Sequence, residues 1–262
     1  MAPDEPKPAL FANRWGDALP PGGNTVPITC QCFDQHGGPT PGRVPFHRDR
    51  QDTSSPGWRR LLALIEDAAE DGRAVFRPFA EMTAEERRAI VTLPPSIAKL
   101  TAVEHLVLYG SNLVRIPPEI GAMTALEEFT PYTSHRLHWF PYEITRCAGL
   151  RRSTVSTRSL YGNFKMRPPF PELKGDGTDA ARVGEIDGAS SMRMCSVCRT
   201  PLEEGAVRQV WISLQVATDV LPLLVNACSV SCVEALPEAA EGYVPTPHTG
   251  GPGLTQPSSR YY

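Results

Sequence analysis

Leu93-Pro-Pro-Ser-Ile97 returns as Ile116-Pro-Pro-Glu-Ile120, and again as Phe140-Pro-Tyr-Glu-Ile144. The steps are 23 residues (93 to 116) and 24 residues (116 to 140). A second column keeps this spacing in Val103, Leu126 and Leu150; behind it come Leu106 and Leu108, then Phe129, then Val155. Each unit reads as a short strand, a turn, and a Pro-rich bend carrying one more apolar anchor. Such a unit is too small to bury its apolar face alone, so neighbours must stack to make a core. The chain has 27 prolines in 262 residues. That excludes a uniform helical bundle, because an interior proline removes a backbone donor and costs a helix about 3 kcal/mol.

On the N-terminal side, residues 55–92 read as a helical cap. Ser55 suits a helix N-cap, Pro56 the first turn and Gly72 the exit. Between them Trp58, Leu61, Leu62, Ile65, Ala68 and Ala69 share one stripe. Thr83 and Glu86 form a capping box for a second, short helix. Residues 1–54 hold many prolines and no sustained period, and read as an irregular arm. Residues 93–173 form the periodic array, 174–192 a polar, Gly-rich linker, 193–237 a cysteine module and 238–262 a flexible tail.

The run Leu100-x-x-Val103-x-x-Leu106-x-Leu108-x-x-Ser111-x-Leu113-x-x-Ile116-Pro117 resembles a leucine-rich repeat of the short, Pro-bearing bacterial type. The resemblance spans about residues 88–173 and implies an α/β fold, a short solenoid with an N-terminal helical cap. That family places Asn where this chain has Ser111; later units offer Ser134 or His135, then Arg158 or Ser159. Pro131 sits where a strand leucine is expected, which predicts a distorted second unit. The resemblance also implies a concave sheet. By alternation its outward residues are His105, Val107 and Tyr109, then Glu128, Thr130 and Tyr132, then Arg152, Thr154 and Ser156. The tyrosines make this a candidate protein-binding face, because tyrosine buries area at low entropy cost and keeps a polar tip. The alternative is a face covered by residues 1–54.

Cys195-Ser-Val-Cys198 is followed by Cys228-Ser-Val-Ser-Cys232. Two close pairs of soft thiolates suit a closed tetrahedral site, so one structural Zn2+ per chain is expected. Between the pairs, Val210, Ile212, Leu214 and Val216 alternate, and so do Leu223, Val225 and Ala227, which predicts a hairpin with one buried face. A helix from Ser229 to Ala235 would stop before Pro237. Knuckle, hairpin and helix together resemble a treble-clef zinc finger, a small α+β module. With no open ligand position, the site reads as structural, not catalytic.

Cys30, Cys32, His36 and His47 could form a second metal site, or a nucleophile–base pair for an enzyme or enzyme subunit. Nothing at recognisable spacing orients that base or makes an oxyanion hole. The net charge of -3, from 26 basic and 29 acidic residues, argues against a dedicated nucleic-acid binder. The cysteine module is itself slightly acidic, so zinc-mediated nucleic-acid binding ranks last. The first residues, MAPDEPKPAL, lack the apolar run of a signal peptide, and no stretch suits a membrane helix. The expectation is a cytoplasmic, non-catalytic adaptor for a protein partner, with no membrane contact.

Overall fold

The computed structural model describes residue 47 and residues 49–173, 194–202 and 207–258. The architecture is mixed α/β, with one parallel sheet, one mixed sheet, few helices and a cysteine cluster.

Helix α1 spans Pro56–Asp71. Ser55 caps it by accepting from the Trp58 N–H, and Gly72 ends it at φ 64°. Trp58, Leu61, Leu64, Ile65 and Ala68 are buried, while Leu62 and Ala69 are only partly covered. Helix α2 spans Ala84–Arg88 and carries the capping box of Thr83 and Glu86. A Cβ on Gly57 would lie 2.5 Å from the Glu86 carbonyl oxygen, so only glycine lets the two helices approach this closely.

Strands β1 (Val75–Phe76), β2 (His105–Val107), β3 (Glu128–Thr130) and β5 (Arg152–Ser153) form the parallel sheet in that order. Val75, His105, Glu128 and Arg152 share one register row, so the 23- and 24-residue steps reappear as strand pairing (105 to 128 to 152). The Pro-rich bends become 3-10 turns at Pro95–Lys99, Pro118–Ala122 and Tyr142–Arg146. Each turn drives one isoleucine inward: Ile97, Ile120 and Ile144 are all buried. Strand β1 has only two residues, too few for alternation to reveal it in the sequence.

Two slots differ from expectation. In β5 the residue paired with Phe129 is Ser153, not Val155. The Ser153 hydroxyl lies 3.1 Å from the Val216 carbonyl and 2.7 Å from Asp219 Oδ2, which makes a polar residue tolerable there. Pro131 does not break the pairing with the preceding unit. Leu108 N donates to Thr130 O and Gly110 N to Tyr132 O, both at 2.9 Å. Proline's missing N–H would face the β5 side, where the ladder stops after Phe129 and Ser153.

The second sheet orders β4 (Phe140–Pro141), β7 (Asp219–Ala227) and β6 (Arg208–Val216). β6 and β7 form the expected hairpin, but both of its faces are buried. Ile212, Leu214, Leu223 and Val225 join the core of the parallel sheet and α1. Trp211 and Leu224 face the other way, into a second cluster with Trp139, Tyr161, Phe170 and Leu173. Alternation failed to predict this because the covering residues come from segments without any period.

One covering segment is the expected tail. Residues 238–258 return along β6 instead of trailing away. Ala240 N donates to Ser213 O, and Trp211 and His248 exchange backbone bonds of 2.8 and 3.1 Å. This shields the open edge of β6. Gly250 closes the turn at φ 72°, where a Cβ would sit 2.2 Å from the Pro171 carbonyl oxygen. The His248 ring stacks edge-on against Phe170 at 4.7 Å, and its Nδ1 accepts from the Gly250 N–H. That bond requires an unprotonated Nδ1, and burial pulls the imidazole from 6.5 down to about 4.

A histidine with a depressed folded-state pKa supports the fold above its unfolded pKa and loses that support as pH falls toward the folded value. Chemical denaturation should therefore show stability falling between pH 6.5 and about 4, by up to about 3 kcal/mol from this residue. His248→Asn should flatten that slope; an unchanged slope would place the acid sensitivity elsewhere.

Candidate functional site

The four predicted ligands come together. The sulfurs of Cys195, Cys198, Cys228 and Cys232 all lie within 4.8 Å of one another and could hold a metal ion. Cys198 Sγ is 3.5 Å from Cys228 Sγ, which is 3.6 Å from Cys232 Sγ. A tetrahedral ion with metal–sulfur bonds of about 2.3 Å needs sulfur–sulfur edges of about 3.8 Å. These two separations are close to that edge.

Local sequence explains the placement. The loop from Cys195 to Cys198 folds back because Arg199 takes φ 63° and its N–H donates to Cys195 O at 3.0 Å. Cys195 N donates to Thr200 O, closing the turn, and Met194 bridges to Pro201. Cys195 Sγ accepts from the N–H groups of Cys198 (3.5 Å) and Cys228 (3.4 Å). On the other side, α3 spans Val230–Glu234, and Ser229 caps it by accepting from the Cys232 N–H at 3.2 Å. Cys228 precedes that cap and Cys232 lies in the first turn.

The sulfurs differ in charge preference. Hydrogen bonding with Thr200 pulls Cys198 down to about 6. Cys228 is pushed up to about 12 because Cys198, and then Cys232, hydrogen-bond to it. Crowded thiols resist carrying several negative charges at once, and a bound cation removes that conflict.

Sequence reasoning missed the residues that fasten this cluster to the rest. Ser196 N donates to Asn226 O, Asn226 N donates to Ser196 Oγ, and Gln209 Nε2 donates to Asn226 Oδ1. Arg146, in the third 3-10 turn, donates through Nη2 to Ser196 O at 2.8 Å. Beside it Glu143 is almost fully buried, and burial raises its carboxyl pKa. No local signal links positions 146 and 196, which lie fifty residues apart.

The predicted partner-binding residues share one face of the parallel sheet. His105 Nε2 lies 3.0 Å from Thr130 Oγ1, and its Nδ1 lies 3.9 Å from Glu128. Arg152 reaches Glu128 at 3.0 Å. Burial lowers the His105 pKa against the upward pull of Glu128. Beyond this polar row the rings of Tyr109 and Tyr132 lie 6.2 Å apart, with Tyr132 40% exposed. Val107 and Thr130, which alternation places on this face, are themselves buried, and Thr154 is half-buried. Ser111 and Ser134 occupy the turn positions: Ser134 Oγ donates to Leu108 O and accepts from Ser111 N.

Cys30, Cys32 and His36 lie outside the described residues, as do 1–46 in general. His47 is described, and stacks on His138 with ring centroids 5.3 Å apart. Asp49 pairs with Arg136 at 2.7 Å, and Gln51 accepts from Val91 N at 2.9 Å. These described arm residues therefore run past the turns at 112–115 and 136–138. No described helix is long and apolar enough to cross a membrane. Comparison with protein-family models, curated sequences and solved structures returns no match.

Arg146→Ala should remove the charge-assisted bond to Ser196 and lower stability by about 1–2 kcal/mol. Metal content per chain should stay the same, because no ligand is touched. Denaturation and elemental analysis of the same sample check both; loss of the metal would show that Arg146 shapes the cluster itself.

Proposed function

We propose that this chain is a non-catalytic protein-interaction module. In this reading residues 93–173 form a short leucine-rich repeat array, residues 55–92 cap its N-terminal end, and its outward sheet face captures a protein partner in the cytoplasm. One observation carries the reading. His105, Glu128 and Arg152 fall in a single register row, and Tyr109 and Tyr132 stand side by side beyond it. Glu128 and Arg152 already pair across the strands, and surface pairs of this kind contribute only about 0–1 kcal/mol each. They fix orientation, while the tyrosines supply contact area.

The cysteine cluster belongs to a treble-clef-like module holding one structural Zn2+ through Cys195, Cys198, Cys228 and Cys232. Four sulfurs at tetrahedral spacing favour zinc or an iron–sulfur centre over hard cations. The bound ion would neutralise the crowded thiolates and add folding free energy to a segment with little core of its own. The chain's own groups do the rest: Thr200 and two backbone N–H groups orient the sulfurs, and Ser196 ties them to Arg146 and Asn226.

Elemental analysis of protein purified without chelator should give one zinc per chain, and Cys195→Ser should lose it. For the face, wild type and the double variant Tyr109→Ala/Tyr132→Ala are compared in pull-downs from native cytosol, with circular dichroism to check the fold. Specific proteins retained by wild type and lost by a folded double variant support the reading. An identical set captured by both would sink it.

A further inference from the structure

Among the described cysteines, Cys198 alone is exposed; Cys147 and Cys195 are buried, and Cys228 and Cys232 are half-buried. Cys195 Sγ accepts two backbone N–H groups. Cys147 donates to Ile120 O at 3.3 Å, and burial pushes its thiol up to about 11. A buried sulfur of either kind is out of reach of a dissolved oxidant. The next two residues after Cys198, Arg199 and Thr200, are exposed as well, so this end of the loop is open to solvent. Thr200 Oγ1 lies 3.2 Å from Cys198 Sγ and can donate to it, which favours the nucleophilic thiolate.

This exposed sulfur has a second sulfur beside it. Cys228 Sγ lies 3.5 Å away, whereas a disulfide needs about 2.0 Å, so a closing movement of about 1.5 Å joins them. Both residues sit on irregular backbone that permits such a shift: Cys198 in the knuckle turn, and Cys228 in the bend between β7 and α3. Cys232 is held more firmly, in the first turn of α3 with its N–H on the Ser229 cap. An accessible thiolate next to a resolving thiol is the arrangement in which oxidation stops at a disulfide instead of climbing to sulfinic acid.

We propose that Cys198 and Cys228 are a peroxide-responsive pair whose oxidation to a disulfide discharges the metal. The inference rests on the structural zinc site proposed above. The Cys198 thiolate attacks one oxygen of hydrogen peroxide; the O–O bond breaks, and the departing hydroxide takes a proton from solvent and leaves as water. Cys228 then attacks the sulfur of the resulting sulfenic acid. The S–S bond forms, the S–O bond breaks, and the hydroxide leaves, protonated, as a second water. The two thiolates give up two electrons and the peroxide accepts them. Cys195 and Cys232 remain, too few to close a tetrahedral site. The change reaches the array because Ser196, next to Cys195, is bonded to Asn226 of β7 and to Arg146.

The test adds hydrogen peroxide to the full wild-type chain. A chromogenic chelator follows released zinc, and tandem mass spectrometry of the digest assigns the linked cysteines. The expected result is loss of the whole zinc complement in step with a Cys198–Cys228 disulfide, and full recovery on adding dithiothreitol and zinc. The variant Cys30→Ser/Cys32→Ser, which leaves the cluster intact, should respond identically. Zinc retained under peroxide, zinc released without that disulfide, or a response lost in the double variant would overturn the proposal and leave the zinc site standing. A chain that carries no zinc before peroxide is added would overturn the zinc reading and this proposal together.

Discussion

Phe140 is where the two halves of the molecule meet. Its backbone pairs with Leu223 of β7, and its side chain is fully buried, edge-on to Phe129 at 5.8 Å. A short parallel array has an open end and an open edge, and unpaired backbone buried away from water is expensive. The hairpin resolves both. β7 pairs with the third bend at Phe140–Pro141, while the hairpin turn closes on β5, where Thr218 Oγ1 donates to Ser153 O at 2.7 Å. A hairpin with two buried faces then needs its own cover, which the aromatic cluster around Trp211 and the returning residues 238–258 provide.

The cysteine cluster is tied into the same construction. Its loop is pinned to β7 through Ser196 and Asn226, and to the array through Arg146. A cation among the four sulfurs would therefore do more than order forty-odd residues of a small module. It would hold in place the strand that closes the array. In the interaction reading proposed here, the metal stands behind the partner face mechanically and touches no partner.

The periodic anchors, the helix caps and the cysteine pairs were all legible in the sequence, because each depends on residues near one another in the chain. Ser55 and Gly72 bound α1, Thr83 and Glu86 cap α2, and Ile97, Ile120 and Ile144 point inward from their bends. The outward row of His105, Glu128 and Arg152 follows from the same spacing. Strand β1 was not legible, since two residues carry no period. Ser153 in the fourth strand was not either, because the groups that make it acceptable come from positions 216 to 219.

Alternation along Val210 to Val216 and Leu223 to Ala227 could reveal a hairpin but not how many of its faces are buried. Trp211 and Leu224 look like solvent-side residues until residues 160–173 and 238–258 are folded over them. The sequence by itself determined the units: their step, their turns, their caps and the four sulfurs. Tertiary structure alone decided how those units join, where the final segment lies, and that the β6–β7 turn forms a cleft with two distant loops. The physical reason is range. Backbone geometry and side-chain period act over a few residues and leave a local record, whereas contacts across fifty or more residues arise only when buried surfaces find each other.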